Sequence, residues 1–215
     1  MQSGILHESY LYLLARWDRF IDALTIHVSL SVLALLIAIV ICIPLGIWSA
    51  RSRRISTVTI NLVSALRVLP SLAILVVMLP YLGLGFTPAL AALTILACPP
   101  ILINTYTGFR DVDPAVVEAA YGMGMTPAQV LWWIESPLAL PVVVAGLRTA
   151  AVEVVASATL AAFIGGGGLG EFIINGLGLN DMRSLLVGAV PVALLALLVE
   201  GLFALTERVL RLAAQ

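Results

Sequence analysis

Four charged side chains stand inside long apolar runs: Arg67, Arg148, Glu153 and Glu200. A charge in the hydrocarbon of a bilayer costs about 3 kcal/mol or more unless it is paired or wetted, so such residues mark solute pathways, relays or interhelical pairs. Arg67 lies about eleven residues into its run, near mid-bilayer at the helical rise of about 1.5 Å per residue. Counted from the same membrane face, Glu153 sits at similar depth, while Arg148 and Glu200 match each other closer to that face. The depths predict two pairs, Arg67–Glu153 and Arg148–Glu200; the alternative is that some of these groups line a wet pathway or snorkel. Pro70, four residues after Leu66, frees a carbonyl at this depth, and irregular backbone is tolerated there only against protein or water. Arg67, Pro70 and Ser71 should therefore face the pathway. Asn104, Thr105 and Tyr106 either line its inner mouth or bond to the end of their own helix.

Other candidate chemistry falls away. Cys42 and Cys98 sit in apolar runs without a nearby histidine, so they read as small hydrophobes, not as a zinc site or disulfide framework. His7 and His27 are solitary and read as interfacial polar residues. The run Gly165-Gly166-Gly167-Gly168-Leu169-Gly170 has no following Lys-Ser/Thr and no preceding soluble strand, so it is not a phosphate loop. A mobile or re-entrant linker fits it better. No H-E-x-x-H is present, and no nucleophile pairs with a histidine inside the runs, which argues against an intramembrane enzyme.

The elements that must position these residues follow from composition. The 215 residues are 61% hydrophobic and 11% charged, with mean hydropathy +1.11; a soluble domain carries about a quarter charged residues. The chain reads as an all-α integral membrane protein, one transmembrane domain over residues 1–215. A net charge of −1 excludes a nucleic-acid binder driven by phosphate neutralisation. The N-terminus mixes acids with Arg16 and Arg19 and lacks the pattern of a signal peptide. Leu6, Tyr10, Leu13, Trp17, Phe20 and Leu24 share one helical face, which fits an amphipathic helix on the membrane surface or a flank of the first span. Five spans are expected, over about residues 25–48, 56–79, 89–106, 141–164 and 185–205, each near the twenty apolar residues a bilayer needs. Residues 81–88 form a tight hairpin, and Pro99-Pro100 predicts a kink or break in the third span. Arg51, Arg53, Arg54, Arg110, Arg208 and Arg211 gather on one side. The positive-inside rule then sets the N-terminus outside and the C-terminus in the cytoplasm.

That polarity puts the stretch Asp111–Pro137 in the cytoplasm. Asp113-Pro114 and Thr126-Pro127 are N-cap and first-turn signals, and Gln129 completes a capping box. Gly122 and Gly124 suit a left-handed turn. The prediction is two short helices joined by a glycine turn, held just outside the bilayer.

Glu118-Ala119-Ala120, then Gly124, Ile134 and Pro137, resembles the EAA motif of binding-protein-dependent ABC importer permeases, with Ser136 where leucine is usual. The resemblance spans about residues 27–205 and implies the type I permease fold. It makes this loop the coupling helix that seats on an ABC ATPase subunit, through Glu118, Ala119, Ala120, Gly124, Ile134 and Pro137. It also puts Gly165, Gly166, Gly167, Gly168 and Gly170 near the external gate. Residues 67–72, 99–108 and 165–170 look most like the osmoprotectant branch, which imports glycine betaine, carnitine or choline; Ile103 departs from the arginine usual there. A methionine-type branch is the nearest alternative. The resemblance implies a prokaryotic cytoplasmic membrane, a second permease subunit, identical or homologous, and an extracytoplasmic solute-binding protein. ATP is bound by the partner ATPase, and this chain carries neither cofactor nor catalytic residue. An ion-coupled secondary transporter would want an internal repeat, and five spans do not halve.

Overall fold

The computed structural model describes the backbone of residues 2–213 and the side chains of residues 4–209. Arg211, used above for polarity, lies outside the described side chains. Among the described residues ten α-helices follow in chain order. They are α1 (Gln2–Ala15), α2 (Trp17–Arg51), α3 (Arg53–Leu66), α4 (Ser71–Leu82) and α5 (Phe86–Arg110), then α6 (Pro114–Gly122), α7 (Pro127–Val130), α8 (Ser136–Ser157), α9 (Gly170–Gly178) and α10 (Met182–Ala213). A single π turn, Leu131–Glu135, joins α7 to α8, and a 3-10 segment, Ala158–Ile164, extends α8. Among the described residues four helical stretches are long and apolar enough to cross a membrane, and five when α3 and α4 count as one bent span.

The centre of the bundle is α5, packed between α2 and α8. Lipid tails are as apolar as leucine, so helices associate in a membrane through close packing rather than hydrophobic exclusion. The sequence supplies that closeness. Ala34, Ala38, Cys42 and Gly46 recur every four residues on α2 and are all buried. A Cβ on Gly46 would lie 2.7 Å from Thr105 of α5, and one on Gly146 of α8 would lie 2.5 Å from Asn104. Cys42 on α2 and Cys98 on α5 are free thiols, and the Cys98 thiol donates to the Thr94 carbonyl at 3.2 Å.

Several expectations are corrected. The second span is not one rod: α3 and α4 meet at 100°. Pro70 has no N–H to offer Leu66, and the chain leaves the helix through Arg67–Leu69 before α4 begins. In the third span, of the kink or break expected at Pro99-Pro100, the break does not occur. α5 runs unbroken through Pro99 and Pro100, both buried, because adjacent prolines remove only two helical bonds and tight neighbours on both sides hold the rest. The amphipathic stretch divides at Arg16. Leu6, Tyr10 and Leu13 of α1 line a groove with Leu186, Val190 and Pro191 of α10, while residues from Trp17 onward belong to the long α2. The fourth span ends its α-helix at Ser157 and tightens into the 3-10 segment.

The glycine run is packed, not free. Gly165, Gly167 and Gly168 have φ of 73°, 77° and 88°, a region open to glycine and strained for L side chains. A Cβ on Gly170 would lie 2.0 Å from the Thr159 carbonyl oxygen. The Gly85 N–H donates to the Ile164 carbonyl at 2.8 Å, tying the run to the turn after α4. His27 is likewise not interfacial. It is fully buried, and its Nε2 lies 3.0 Å from the Val155 carbonyl oxygen, linking α2 to α8 beside Gly168.

Candidate functional site: a polar loop and two cavities

The stretch 111–137 forms much as its punctuation dictates. Asp113 accepts from the Ala115 N–H at 2.9 Å. Thr126 and Gln129 form the reciprocal capping box, with the Thr126 N–H donating to Gln129 Oε1 at 2.8 Å. Gly124 takes the left-handed turn at φ 84°, while Gly122 remains helical as the last residue of α6. The second short helix is not separate. α7, the π turn and α8 run on as one continuous helical stretch, so the loop is mechanically joined to the fourth span. Glu118 and Ala119 are exposed and Ala120 is buried. Ile134 lies in the π turn, and Pro137 opens α8.

Two features of this region escaped the sequence reading. Trp132 and Trp133 are 69% and 74% exposed, a large aromatic surface beside the loop. Glu135 pairs with Arg51 at 2.5 Å, pinning the π turn to the end of α2. The indole pair inside a short polar stretch was the available signal for the first.

Above the loop, a cavity of about 560 Å³ opens between α8 and α10, lined by Arg148, Thr149, Glu153, Glu200 and Glu207. Arg148 pairs with Glu200, as the depth argument predicts, and also reaches Glu207 at 3.2 Å. Glu207 was not among the charges matched by depth. Its position seven residues beyond Glu200, two turns along the same face, was the signal for its role here.

A second cavity of about 300 Å³ lies at the α3–α4 break, lined by Arg67, Pro70, Ser71, Leu96, Pro99 and Glu153. The expected Arg67–Glu153 pair is replaced by a looser arrangement. The two side chains face the same cavity, yet among the described residues no ion pair within 4.0 Å joins them. Helix bending at Pro70 holds Arg67 on its own arm instead of letting it run alongside α8. Glu153 borders both cavities.

Asn104 and Tyr106 are not among the residues lining either cavity. Asn104 donates to the Pro100 carbonyl at 2.8 Å and packs against Gly146. The Arg110 guanidinium lies over the Tyr106 ring, 5.7 Å from its centroid. At the opposite end, Asp181 accepts from the Arg183 side chain at 3.0 Å and from its backbone N–H at 3.1 Å. That guanidinium holds the Asp181 carboxyl below its usual range.

Residues 42–212 match the family model of the binding-protein-dependent transport system inner membrane component. The chain belongs to this family. Together with its apolar helices, membership makes this permease a multi-pass inner-membrane protein. Over 182 residues it is 42% identical to the choline transport system permease protein OpuBB of Bacillus subtilis, covering 85% of this chain and 84% of that protein. It is 47% identical over 174 residues to the carnitine transport permease protein OpuCB of Listeria monocytogenes, covering 81% and 80%. An osmoprotectant import permease, OsmW of Salmonella typhimurium, is 38% identical over 181 residues, covering 82% and 84%. Among solved structures, the MetNI methionine ABC transporter in an inward-facing conformation superposes with a TM-score of 0.78 at 20% identity, covering 91% of this permease and 98% of that chain. An amino acid ABC transporter gives 0.74 at 23% identity, covering 92% and 97%. At such identities the structural likeness establishes the fold, the type I importer permease architecture that the EAA resemblance implies.

Proposed function

We propose that this permease forms the membrane pathway of an ATP-driven importer of osmoprotectants, compatible quaternary amines such as glycine betaine, carnitine or choline. The observation that carries the proposal is sequence identity of about two fifths, across four fifths of the chain, to permeases named for choline and carnitine transport. In this reading the N-terminus and the glycine run face the outside, and the Asp111–Pro137 loop faces the cytoplasm. An ATPase subunit seats on the loop through Glu118, Ala119, Ala120, Gly124, Ile134 and Pro137. A second permease subunit completes the pathway, and a solute-binding protein delivers cargo from outside. ATP belongs to the motor subunit.

The geometry supports a particular route of force. The loop runs without interruption into α8, and α8 carries Arg148 and Glu153. Movement of the loop with a closing ATPase pair therefore displaces α8 as a lever against α5 and α10, reshaping both cavities. ATP acts as a ligand with different affinity for the two states, which is all that a population shift requires. The glycine run, packed against Gly85 and His27, serves as the external seal.

The test is uptake into proteoliposomes holding the complete system. Inactivating the partner ATPase should abolish import of glycine betaine, carnitine and choline alike. Import that persists on an ion gradient would instead make the protein a secondary transporter. Import of methionine in place of quaternary amines would move it to another branch of the family.

A further inference from the structure

Arg67 and Glu153 carry opposite charges, face one cavity of about 300 Å³, and do not join in an ion pair within 4.0 Å. Both side chains are exposed, so each is open to a group of opposite sign, and a ligand that is itself a dipole satisfies both at once. The wall between the two groups adds to this. Pro99 and Pro100 lack the N–H groups that would bond the Ile95 and Leu96 carbonyls, four residues earlier on α5, and both of those residues line the cavity. Carbonyl dipoles without helical partners, on residues that share the cavity lining with Glu153, suit a cation that has no hydrogen to donate.

We infer that the Arg67–Glu153 cavity is a transit site for zwitterionic quaternary amines, with the ligand carboxylate on Arg67 and its permethylated ammonium against Glu153 and the α5 carbonyls. The inference rests on the importer reading above and narrows it: the membrane part itself favours carboxylate-bearing amines over choline, which has a hydroxyl in place of the carboxylate. A guanidinium offers two parallel N–H donors to a carboxylate, a geometry that a hydroxyl cannot satisfy.

The experiment measures ATP-driven uptake of glycine betaine and of choline by the complete reconstituted transporter, with the same binding protein throughout. Assembly of each variant is checked by gel filtration. Arg67→Gln should lower betaine uptake about tenfold or more, the size expected for losing a charge-assisted bidentate contact, and lower choline uptake far less. Glu153→Gln should lower both, and Arg67→Lys, which keeps the charge and loses the fork, should lower betaine uptake less than Arg67→Gln does. Equal losses of betaine and choline with Arg67→Gln, or wild-type uptake with both neutral variants, would overturn the site while leaving the importer reading intact. A wild-type complex that carries choline and no carboxylate-bearing amine would do the same. If wild type carries betaine alone, a larger loss with Arg67→Gln than with Arg67→Lys supports the site, and equal uptake by the two overturns it. If Arg67→Gln fails to assemble, Glu153→Gln and Arg67→Lys decide: undiminished betaine uptake with Glu153→Gln, or an Arg67→Lys loss larger for choline than for betaine, overturns it. A wild-type complex importing no quaternary amine removes the importer reading first, and the site with it.

Discussion

Arg148 on α8 and Glu200 on α10 form an ion pair between helices fifty-two residues apart in sequence, and Glu207 closes on the same guanidinium two turns further along. One cation thus serves two carboxylates in a cavity wall. Removing Arg148 takes the shared cation from both acids; removing Glu200 leaves Arg148 with Glu207. Arg148→Gln should therefore lower the melting temperature of the detergent-purified protein more than Glu200→Gln does. Equal shifts would mean that Glu207 contributes nothing to the cluster.

Close backbone contact separates glycines that can be replaced from those that cannot. A Cβ at Gly170 would lie 2.0 Å from a carbonyl oxygen, and one at Gly146 would lie 2.5 Å from Asn104 Cβ, whereas Gly178 has nothing within 4 Å. Gly170→Ala and Gly146→Ala should abolish the yield of monodisperse protein or depress its melting temperature strongly. Gly178→Ala should be neutral or stabilise by up to about 1 kcal/mol through reduced chain entropy. Thermal denaturation followed by tryptophan fluorescence gives the ranking.

The capping box at Thr126 holds the turn between α6 and α7. Thr126→Ala should cost about 1 kcal/mol locally. Faster amide exchange at Gln129 and Val130, with α5 unchanged, is the expected result. If the loop carries the ATPase coupling proposed for it, the same variant should weaken the tie between ATP hydrolysis and uptake in the reconstituted system. A variant with faster exchange at Gln129 and Val130 but undiminished coupling would show that the turn is structural only.

Asp181 sets a pH limit for the α9–α10 turn. Its folded-state carboxyl lies below the ordinary value of 3.8 because Arg183 holds the charged form. The stabilisation is therefore fully present above that ordinary value and is lost only as pH falls below it, through the depressed folded value. Amide protection factors at Arg183 and Leu185 should stay constant from neutral pH down to the ordinary carboxylate range and fall below it. Asp181→Ala should give low protection already at neutral pH.

Membrane polarity can be read by cysteine labelling, because Met123 and Leu179 are 74% and 79% exposed at opposite ends of the fold. With Cys42 and Cys98 replaced by alanine, Leu179→Cys should react with an impermeant maleimide on intact cells. Met123→Cys should react only after permeabilisation. The reverse pattern would invert the topology and remove the loop from any cytoplasmic motor.

Much of this protein was legible in one dimension. Helices in lipid need long apolar runs, so composition alone fixes the class, and local capping chemistry at Asp113, Thr126 and Gln129 fixes the loop. The helical repeat turns residue number into depth, which is why Arg148 and Glu200 could be matched before any contact was known. What needed the third dimension was direction. Pro70 turns its helix through 100°, while Pro99 and Pro100 leave theirs unbroken, although the local rule for all three is the same. The difference lies in what surrounds them: α5 is clasped on both sides by α2 and α8, and the Arg67–Pro70 segment is exposed. Tertiary packing likewise buried His27, fitted the glycine run closely against its neighbours, and kept Arg67 apart from Glu153. Depth is a local property of a helix, but the side a residue faces is decided by its neighbours, and no spacing along the chain encodes them.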